Sequence, residues 1–211
     1  MSEFTDGERL VKICGVTSAR DAVLVRDAGA DALGLIFATS KRRVDPDLAR
    51  DIVAASDGVI HVGVFRDNED DFILRTVDAS GVDVVQIHGV LSGALLDQLR
   101  RRGLGVIKAL AIGSDEFLTF DESLVDAVLV DGLEPGSGLA HSWEALGARH
   151  FCVPLIAAGG LNAENVGEVI ERVRPWGVDV ATGVEASPGV KDQGQVTKFV
   201  QMATSTLSRR G

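Results

Sequence analysis

Short apolar runs alternate with longer amphipathic stretches along the whole chain. Eight of the runs are rich in Val, Ile, Leu or Ala and have no polar face, which predicts strands that are buried on both sides. The predicted strands are Leu10–Ile13, Ala32–Phe37, Ile60–Phe65, Val84–Ile87, Gly105–Ala109, Ala127–Val130, Leu155–Ala158 and Val178–Val180. Strands of this kind are typical of parallel sheets whose faces are covered by helices.

The stretches between these strands carry helix signals. Ser18 is a candidate N-cap for a helix over Ser18–Asp27, Asp45-Pro46 begins a second helix, and Asn162-Ala163-Glu164 begins a third. Apolar residues at helical spacing predict further helices. These lie over Asp70–Ala79, Ala94–Arg101 and Gln195–Leu207. The segments after the fifth and sixth strands are shorter and show weaker helical patterns.

The alternation of strands and helices, without a linker or a low-complexity segment, predicts a closed parallel barrel. The expected fold class is α/β, a single (β/α)8 TIM barrel with a parallel eight-stranded closed sheet, in one domain over residues 1–211. The rival fold is an open doubly wound sheet, which usually carries Gly-x-Gly-x-x-Gly after its first strand. Here the first strand leads into Cys14-Gly15-Val16-Thr17, which favours the barrel.

Composition and charge narrow the range of partners. The formal net charge of −10 argues against binding to nucleic acid or to an anionic membrane surface, since both would repel the protein. No apolar run approaches the roughly 18 residues of a membrane span, and the acidic N-terminus lacks the features of a signal peptide. Two cysteines cannot form a disulfide framework, so we expect a cytoplasmic protein.

Polar residues follow the predicted strands at their carboxyl ends. In a barrel, the active site forms where the strands end and the loops begin, so we expect these residues to surround one pocket. They are Cys14, Arg42, Arg66, Asp67, Gln86, His88, Lys108 and Asp131, together with the glycine-containing ends Gly159-Gly160 and Thr182-Gly183.

Two glycine-rich loops give the clearest indication of a ligand. Gly159-Gly160 follows the seventh predicted strand, and Thr182-Gly183 follows the eighth. Glycines allow close backbone approach, and amides near a helix N-terminus form a cradle for phosphate. Tight turns are the alternative interpretation, but the loops after strands seven and eight are the customary phosphate site of this fold. A phosphorylated substrate is therefore predicted.

Cys14 is a candidate general base. It ends the first strand two residues after Lys12, so both side chains are expected to project to the same side, about 7 Å apart. A nearby ammonium favours the thiolate, the form that accepts a proton. The alternative is a buried structural cysteine, since cysteine is among the most buried residue types. Cys152 lies before the seventh strand, at the other end of the barrel, and is interpreted as a packing residue.

Asp131 and Arg42 complete the candidate chemistry. Asp131 ends the sixth strand before the glycine-rich segment 132–138, and partial burial that raised its pKa would make it a general acid. A loop-capping aspartate is the alternative. Arg42 lies in the cationic cluster Lys41-Arg42-Arg43 and is a candidate clamp for a substrate carboxylate, with a solvated loop charge as the alternative.

Gln86 and His88 point the same way from the fourth strand. They either line the pocket or simply bind each other. The four histidines of the chain show no metal-ligand spacing with Cys, Asp or Glu, so neither a metal site nor another cofactor is expected.

The chain resembles the phosphoribosylanthranilate isomerase family through an ordered set of motifs that covers nearly its whole length. The motifs are Lys12-Ile13-Cys14-Gly15, Gly63-Val64-Phe65, Val85-Gln86-Ile87-His88-Gly89, Asp131 with Pro135-Gly136-Ser137-Gly138, Gly159-Gly160-Leu161-Asn162-Ala163-Glu164-Asn165-Val166, and Gly183-Val184-Glu185 with Pro188-Gly189-Val190-Lys191-Asp192.

This resemblance implies a cofactor-independent aldose–ketose isomerase of tryptophan biosynthesis. The implied reaction is the Amadori rearrangement of N-(5′-phosphoribosyl)anthranilate to 1-(2-carboxyphenylamino)-1-deoxyribulose 5-phosphate. Asp131 matches the family's general acid, Cys14 its general base, and Arg42 the residue that holds the anthranilate carboxylate. The two glycine loops match its phosphate site. The expected assembly is a monomer or a homodimer.

Some residues depart from the family's pattern. His141-Ser142-Trp143 stands where Phe-Asp-Trp is common, Ala157-Ala158 replaces a bulkier pair, and Ala181-Thr182 replaces two serines. Other functions are a related isomerase of histidine biosynthesis, a ribulose-phosphate epimerase, and a non-catalytic phosphometabolite-binding barrel. The first would have an aspartate at position 14 and half-barrel repetition, and the second would have metal ligands. The third is disfavoured because Cys14, Asp131 and both glycine loops occur together.

Overall fold

The computed structural model describes residues 9–131, 146 and 149–208. Within these residues, eight parallel strands form a closed barrel in chain order, and the last strand pairs with the first. The strands are β1 (Leu10–Cys14), β2 (Ala32–Ile36), β3 (Ile60–Arg66), β4 (Val84–His88), β5 (Gly105–Ala111), β6 (Ala127–Asp131), β7 (Leu155–Ala158) and β8 (Gly177–Val180). The predicted fold class and all eight predicted strands are confirmed.

Alternate residues of each strand face two different cores. In β1, Leu10 and Cys14 belong to a cluster inside the barrel, whereas Val11 and Ile13 belong to the larger core between the sheet and the helices. This two-residue period places Lys12 inside the barrel, on the same side as Cys14. The sequence-based prediction that both side chains point the same way is thus confirmed.

Helices cover the outside of the barrel. The described ones are Ala19–Asp27, Pro46–Ala55, Asp70–Ser80, Gly93–Arg101, Asp115–Thr119, Val166–Val173 and Gln193–Ser208, with short 3-10 turns at Glu122–Leu124 and Thr182–Val184. None of the helices in the described part of the chain has both the length and the hydropathy to cross a membrane.

Two predicted helix caps are confirmed and one helix start is wrong. Ser18 accepts a hydrogen bond from the Asp21 amide at 3.1 Å, and Asp45 accepts one from the Leu48 amide at 2.8 Å. The third helix begins at Val166 rather than at Asn162. The Asn162 side chain instead accepts hydrogen bonds from the Glu164 and Asn165 amides. This local turn precedes the helix, which therefore begins later.

A small antiparallel hairpin after β8 was not predicted from the sequence. Its strands are β9 (Glu185–Ser187) and β10 (Val190–Lys191). The turn includes Gly189 with a φ of 84°, a left-handed conformation that favours glycine. This hairpin lies at the carboxyl end of the barrel and supplies two charged side chains to the site described below.

Candidate active site

The carboxyl ends of the strands surround a cavity of about 530 Å³. Its lining includes ten of the residues predicted from the sequence: Cys14, Arg42, Arg66, Gln86, His88, Asp131, Gly159, Gly160, Thr182 and Gly183. Asp67, which was expected there too, is not part of the lining. Asp131 is half-buried at the end of β6, in register with Ala158 of β7. Groups from seven strand ends and their loops therefore face one cavity, as the barrel topology requires.

Lys12 lies beneath this cavity and does not line it. Its ammonium is completely buried and forms an ion pair with Asp179 of β8 at 2.9 Å. Burial lowers the pKa of Lys12, but the negative charge of Asp179 and the contact with Cys14 outweigh it, so the pKa is raised overall. Sequence reasoning missed Asp179, although a lone carboxylate within the apolar run Val178–Val180 was the available signal.

The Cys14 thiol is buried at the floor of the cavity beside Lys12. Burial raises the pKa of Cys14 above its ordinary value of 9.0, while the positive charges of Lys12 and Lys191 lower it and Asp179 raises it. Lys12 thus lowers the pKa of Cys14, which is the direction predicted from the sequence. Because burial outweighs the nearby ammonium groups, the pKa of Cys14 is raised overall.

Gly34 of β2 provides the space that the thiol occupies. A Cβ atom at Gly34 would lie 2.7 Å from Cys14 Sγ and 3.2 Å from Lys12 Nζ, both too close for carbon. The sequence pattern gave no reason to select this glycine, because it lies within an apolar strand and not in a loop.

Arg42 is held by a carboxylate from the hairpin after β8. Its Nε donates to Glu185 Oε1 at 2.7 Å and its Nη2 donates to Glu185 Oε2 at 2.6 Å, a two-point contact. Gly15 makes room for this side chain, since a Cβ there would lie 2.5 Å from Arg42 Cδ. The solvated-charge interpretation is therefore wrong for Arg42, whose guanidinium is fixed at the cavity wall.

The two glycine loops contact each other directly. A Cβ on Gly183 would collide with the carbonyl oxygen of Leu161, so only glycine allows the backbones to approach so closely. Gly159 and Gly160 both have positive φ angles, of 98° and 62°. Asn165 Nδ2 donates to the Gly160 carbonyl at 2.9 Å, which fixes the loop after β7.

Gln86 and His88 fulfil both interpretations offered from the sequence, since they line the cavity and also contact each other at 2.9 Å. An Arg66 nitrogen lies 3.3 Å from His88 Nδ1. Because a guanidinium only donates, Nδ1 is the acceptor and a neutral ring carries its proton on Nε2. Gln86 Nε2 lies 2.9 Å from His88 Nε2, and among the described residues Gln86 Oε1 has no partner, so we assign the amide in the exchanged orientation, with its oxygen accepting from His88.

His88 is expected to remain neutral at physiological pH. Burial, followed by the charges of Arg66, Lys12 and Lys108, lowers its pKa from 6.5 to about 4. Its NMR ring signals should therefore stay constant from about pH 8 to about pH 5. An unfolded chain binds this proton near pH 6.5, so the free energy of unfolding should fall as pH drops from 6.5 towards 4.

A His88→Gln variant assigns the signals and serves as the control. It should lose the part of the pH-dependent stability that His88 contributes in that window. A His88 titration midpoint near 6.5 in the folded protein would contradict the neutral ring.

Two sequence-based interpretations do not hold. Lys108 does not line the cavity, because its ammonium turns to the Ala109 carbonyl and to Glu116, both at 2.9 Å. The carboxylate of Glu116 comes from the short helix after β5, which the sequence pattern showed only weakly. Cys152 is exposed, so the interpretation as a packing residue is wrong.

Comparison with known proteins decides the family. The family model of N-(5′-phosphoribosyl)anthranilate isomerase matches residues 11–202. The chain belongs to this family. The isomerase of Geotalea uraniireducens is 40% identical over 201 residues, which cover 92% of this chain and 97% of that protein.

Solved structures of the family are also similar. The isomerase of Thermotoga maritima has a TM-score of 0.82 and 36% identity, with 93% of this chain and 99% of that chain covered. A family member in complex with reduced 1-(o-carboxyphenylamino)-1-deoxyribulose 5-phosphate has a TM-score of 0.78 and 33% identity, with 93% and 99% covered.

Three of the described departures from the family's motifs lie at the cavity wall, whereas Ala157 is buried in the core between the sheet and the helices. Ala158, Ala181 and Thr182 all line the cavity. Thr182 retains a hydroxyl group, which lies 3.4 Å from an Arg42 nitrogen. His141-Ser142-Trp143 and the Pro135-Gly136-Ser137-Gly138 motif lie outside the described residues. Among the residues that are described, no group of His, Cys, Asp and Glu is placed to hold a metal ion.

Proposed function

We propose that this chain is a cofactor-independent isomerase that converts N-(5′-phosphoribosyl)anthranilate into 1-(2-carboxyphenylamino)-1-deoxyribulose 5-phosphate. The observation that carries the proposal is the convergence of Cys14 and Asp131 on one cavity, bounded by two glycine loops and by Arg42. One group able to accept a proton, one able to donate a proton, and two anion sites match this substrate, which carries a phosphate and a carboxylate.

Asp131 acts first, as the general acid. Its proton passes to the ribose ring oxygen as the bond between that oxygen and C1′ breaks, and the lone pair of the substrate nitrogen forms a C1′=N double bond. The products of this step are an open-chain iminium and the Asp131 carboxylate. The half-buried position of Asp131 at the end of β6 supports this role, and a raised pKa of this carboxyl remains a prediction.

Cys14 acts second, as the general base. Its thiolate takes the proton from C2′, and the electrons of that C–H bond form C1′=C2′ while the iminium becomes a neutral amine. The enolamine then tautomerises, gaining a proton at C1′ and losing the proton of the C2′ hydroxyl to give the ketone. Return of the Cys14 proton to C1′ and uptake of the hydroxyl proton by Asp131 restore both groups.

Two anion sites orient the substrate for these steps. The glycine loops after β7 and β8 offer backbone amides at close approach, which suits a phosphate group. Arg42 faces the same cavity, and the Glu185 carboxylate fixes its guanidinium. We assign the anthranilate carboxylate to Arg42, because a planar guanidinium matches a carboxylate in geometry and charge. Gln86 and His88 line the cavity wall where we place the sugar, whereas Lys12, which the sequence predicted as a binding residue, lies beneath the cavity and acts through Cys14.

The wider biological setting is part of the same proposal. We expect one barrel domain over residues 1–211, acting in the cytoplasm in tryptophan biosynthesis, as a monomer or a homodimer. No nucleic acid or membrane partner is expected at a net charge of −10.

Turnover of three compounds tests the proposed function. The purified protein should convert the parent substrate into the ketose and should act much more slowly on a dephosphorylated substrate and on one whose ring lacks the carboxylate. Equal rates with the dephosphorylated compound would contradict the phosphate assignment. Absence of product from the parent compound would contradict the function itself and favour a binding protein.

Gly183→Ala is expected to weaken substrate binding. The new Cβ would collide with the Leu161 carbonyl and separate the two glycine loops, so the amides would no longer meet the phosphate together. Losing hydrogen bonds to a charged group costs about 1.5–3 kcal/mol, so KM should rise by about ten- to a hundredfold. Inhibition by inorganic phosphate should weaken in parallel.

Gly93→Ala is the matched control, because a Cβ at Gly93 meets nothing within 4 Å. This variant should keep the wild-type KM. A Gly183→Ala protein that folds and binds phosphate as tightly as this control would contradict the backbone cradle.

A further inference from the structure

Lys191 is buried beside the candidate active site, and the proposed reaction gives it no role. Its side chain is fully buried at the end of the β9–β10 hairpin. The ammonium donates to the Cys14 carbonyl at 2.6 Å, to the Ala181 carbonyl at 3.2 Å, and to Glu185 Oε1 at 3.1 Å. These three hydrogen bonds connect the ends of β1 and β8 to the hairpin.

The same Glu185 carboxylate binds Arg42, so Lys191 and Arg42 share one counter-charge. Glu185 also accepts a hydrogen bond from the Gly189 amide at 3.2 Å. One chain of contacts therefore runs from the Cys14 backbone, through Lys191 and Glu185, to the guanidinium at the cavity wall. Lys191 is therefore in the middle of a continuous set of contacts between the Cys14 backbone and Arg42.

The hairpin backbone keeps Lys191 in place. The Lys191 amide donates to Asp21 Oδ2 at 3.0 Å, and the Thr17 hydroxyl donates to the Gly189 carbonyl at 2.6 Å. Both partners belong to the segment that follows β1. Since the hairpin is fixed to this segment at two further points, the ammonium has a defined position under Cys14.

Charge balance around Cys14 gives Lys191 an electrostatic effect as well. The charged groups that act on the thiol are Lys12 of β1, Asp179 of β8, Lys191 of the hairpin, and Arg42. Glu185 pairs with Lys191 and with Arg42. Lys12, Lys191 and Arg42 thus oppose the carboxylates of Asp179, Glu185 and Asp21, and the two ammonium groups next to the thiol stabilise a Cys14 thiolate. Without Lys191 one of these two ammonium groups is lost, so the thiolate is less well compensated.

We infer that Lys191 is a positioning residue that holds the end of β1, favours the Cys14 thiolate, and orients Arg42 through Glu185. This inference rests on the proposed function, in which Cys14 is the base and Arg42 binds the carboxylate. Its electrostatic part also applies to the protein without substrate, so it can be tested separately from turnover.

The test measures how fast iodoacetamide alkylates Cys14 as a function of pH. Cys152 is exposed and would react too, so every protein carries Cys152→Ser. In Lys191→Gln the amide still donates hydrogen bonds but the charge is lost. The midpoint of alkylation should rise by about one pH unit, so the thiolate fraction at neutral pH falls about tenfold. On the parent substrate, kcat should fall about tenfold as well.

Three further variants separate the effect of the Lys191 charge from that of the Arg42 position and from general damage to the protein. Lys191→Arg keeps the charge, so its alkylation midpoint should match that of the Cys152→Ser protein. Glu185→Gln frees Arg42 and should mainly raise KM. Lys198→Gln removes an exposed lysine of the following helix and should change nothing.

A Lys191→Gln midpoint equal to that of Lys198→Gln would overturn the inference. If Lys191→Gln does not fold, the comparison between Lys191→Arg and the Cys152→Ser protein decides. An alkylation midpoint that is a full pH unit higher in Lys191→Arg would overturn the inference. Lack of turnover by the Cys152→Ser protein would contradict the proposed function instead. The alkylation midpoints would still decide the role of Lys191.

Discussion

Replacing Cys14 with serine is expected to lower kcat by about two to four decades, the range of a positioned general base. A serine hydroxyl is a far weaker acid than a thiol, so almost none of it is ionised to accept the C2′ proton. The side chain keeps its shape beside Gly34 and Lys12, so the fold and KM should change little. Steady-state rates on the purified variant measure both quantities.

Cys152→Ser is the control for this prediction. Cys152 is exposed and lies before β7, away from the cavity, so the variant should keep wild-type turnover. Near-wild-type kcat in a folded Cys14→Ser protein would remove Cys14 from the mechanism.

Replacing Asp131 with asparagine is also expected to lower kcat by about two to four decades. The amide has a similar shape but cannot donate a proton to the ring oxygen, so binding should survive while ring opening fails. Because Asp131 must be protonated and Cys14 ionised in the same turnover, the wild-type kcat/KM should depend on pH in a bell shape. Single-turnover rates and the melting temperature should be measured on one preparation.

The loop-capping interpretation of Asp131 predicts a loss of thermal stability, with turnover per folded molecule nearly intact. Asp126 provides the comparison, because it lies at the other end of the same strand and accepts a hydrogen bond from the Val106 amide at 2.8 Å. Asp126→Asn should lower the melting temperature without affecting the chemistry. If Asp131→Asn behaves like Asp126→Asn, the site has no identified acid.

The fold could be predicted mainly from the periodic patterns of apolar residues. Two-residue alternation in β1 places Lys12 and Cys14 on one side, and that follows from strand geometry alone. The glycine loops could be recognised because their positions after β7 and β8 are fixed by the topology. Two helix N-caps could also be predicted, because Ser18 and Asp45 bind backbone amides only three residues away.

Contacts between segments that are far apart in the sequence could not be predicted from such local patterns. Arg42 and Glu185 are 143 residues apart, and nothing local in either segment indicates their pairing. The Lys191 contact to the Cys14 carbonyl spans 177 residues. The pKa of Cys14 depends on the balance between burial and the charges around it, so the sequence showed one contribution but not the result.

In the proposed reaction, this barrel moves a proton from C2′ of the aminosugar and turns that carbon into a ketone. The most direct measurement uses N-(5′-phosphoribosyl)anthranilate labelled with ¹³C at C2′, followed by NMR, alongside a second sample deuterated at C2′. The labelled signal should move from the range of a hydroxyl-bearing carbon to that of a ketone carbon. Deuteration should slow the chemical step, because the bond to hydrogen at C2′ breaks. A folded wild-type protein that leaves the labelled carbon unchanged would show that this chain does not catalyse the rearrangement.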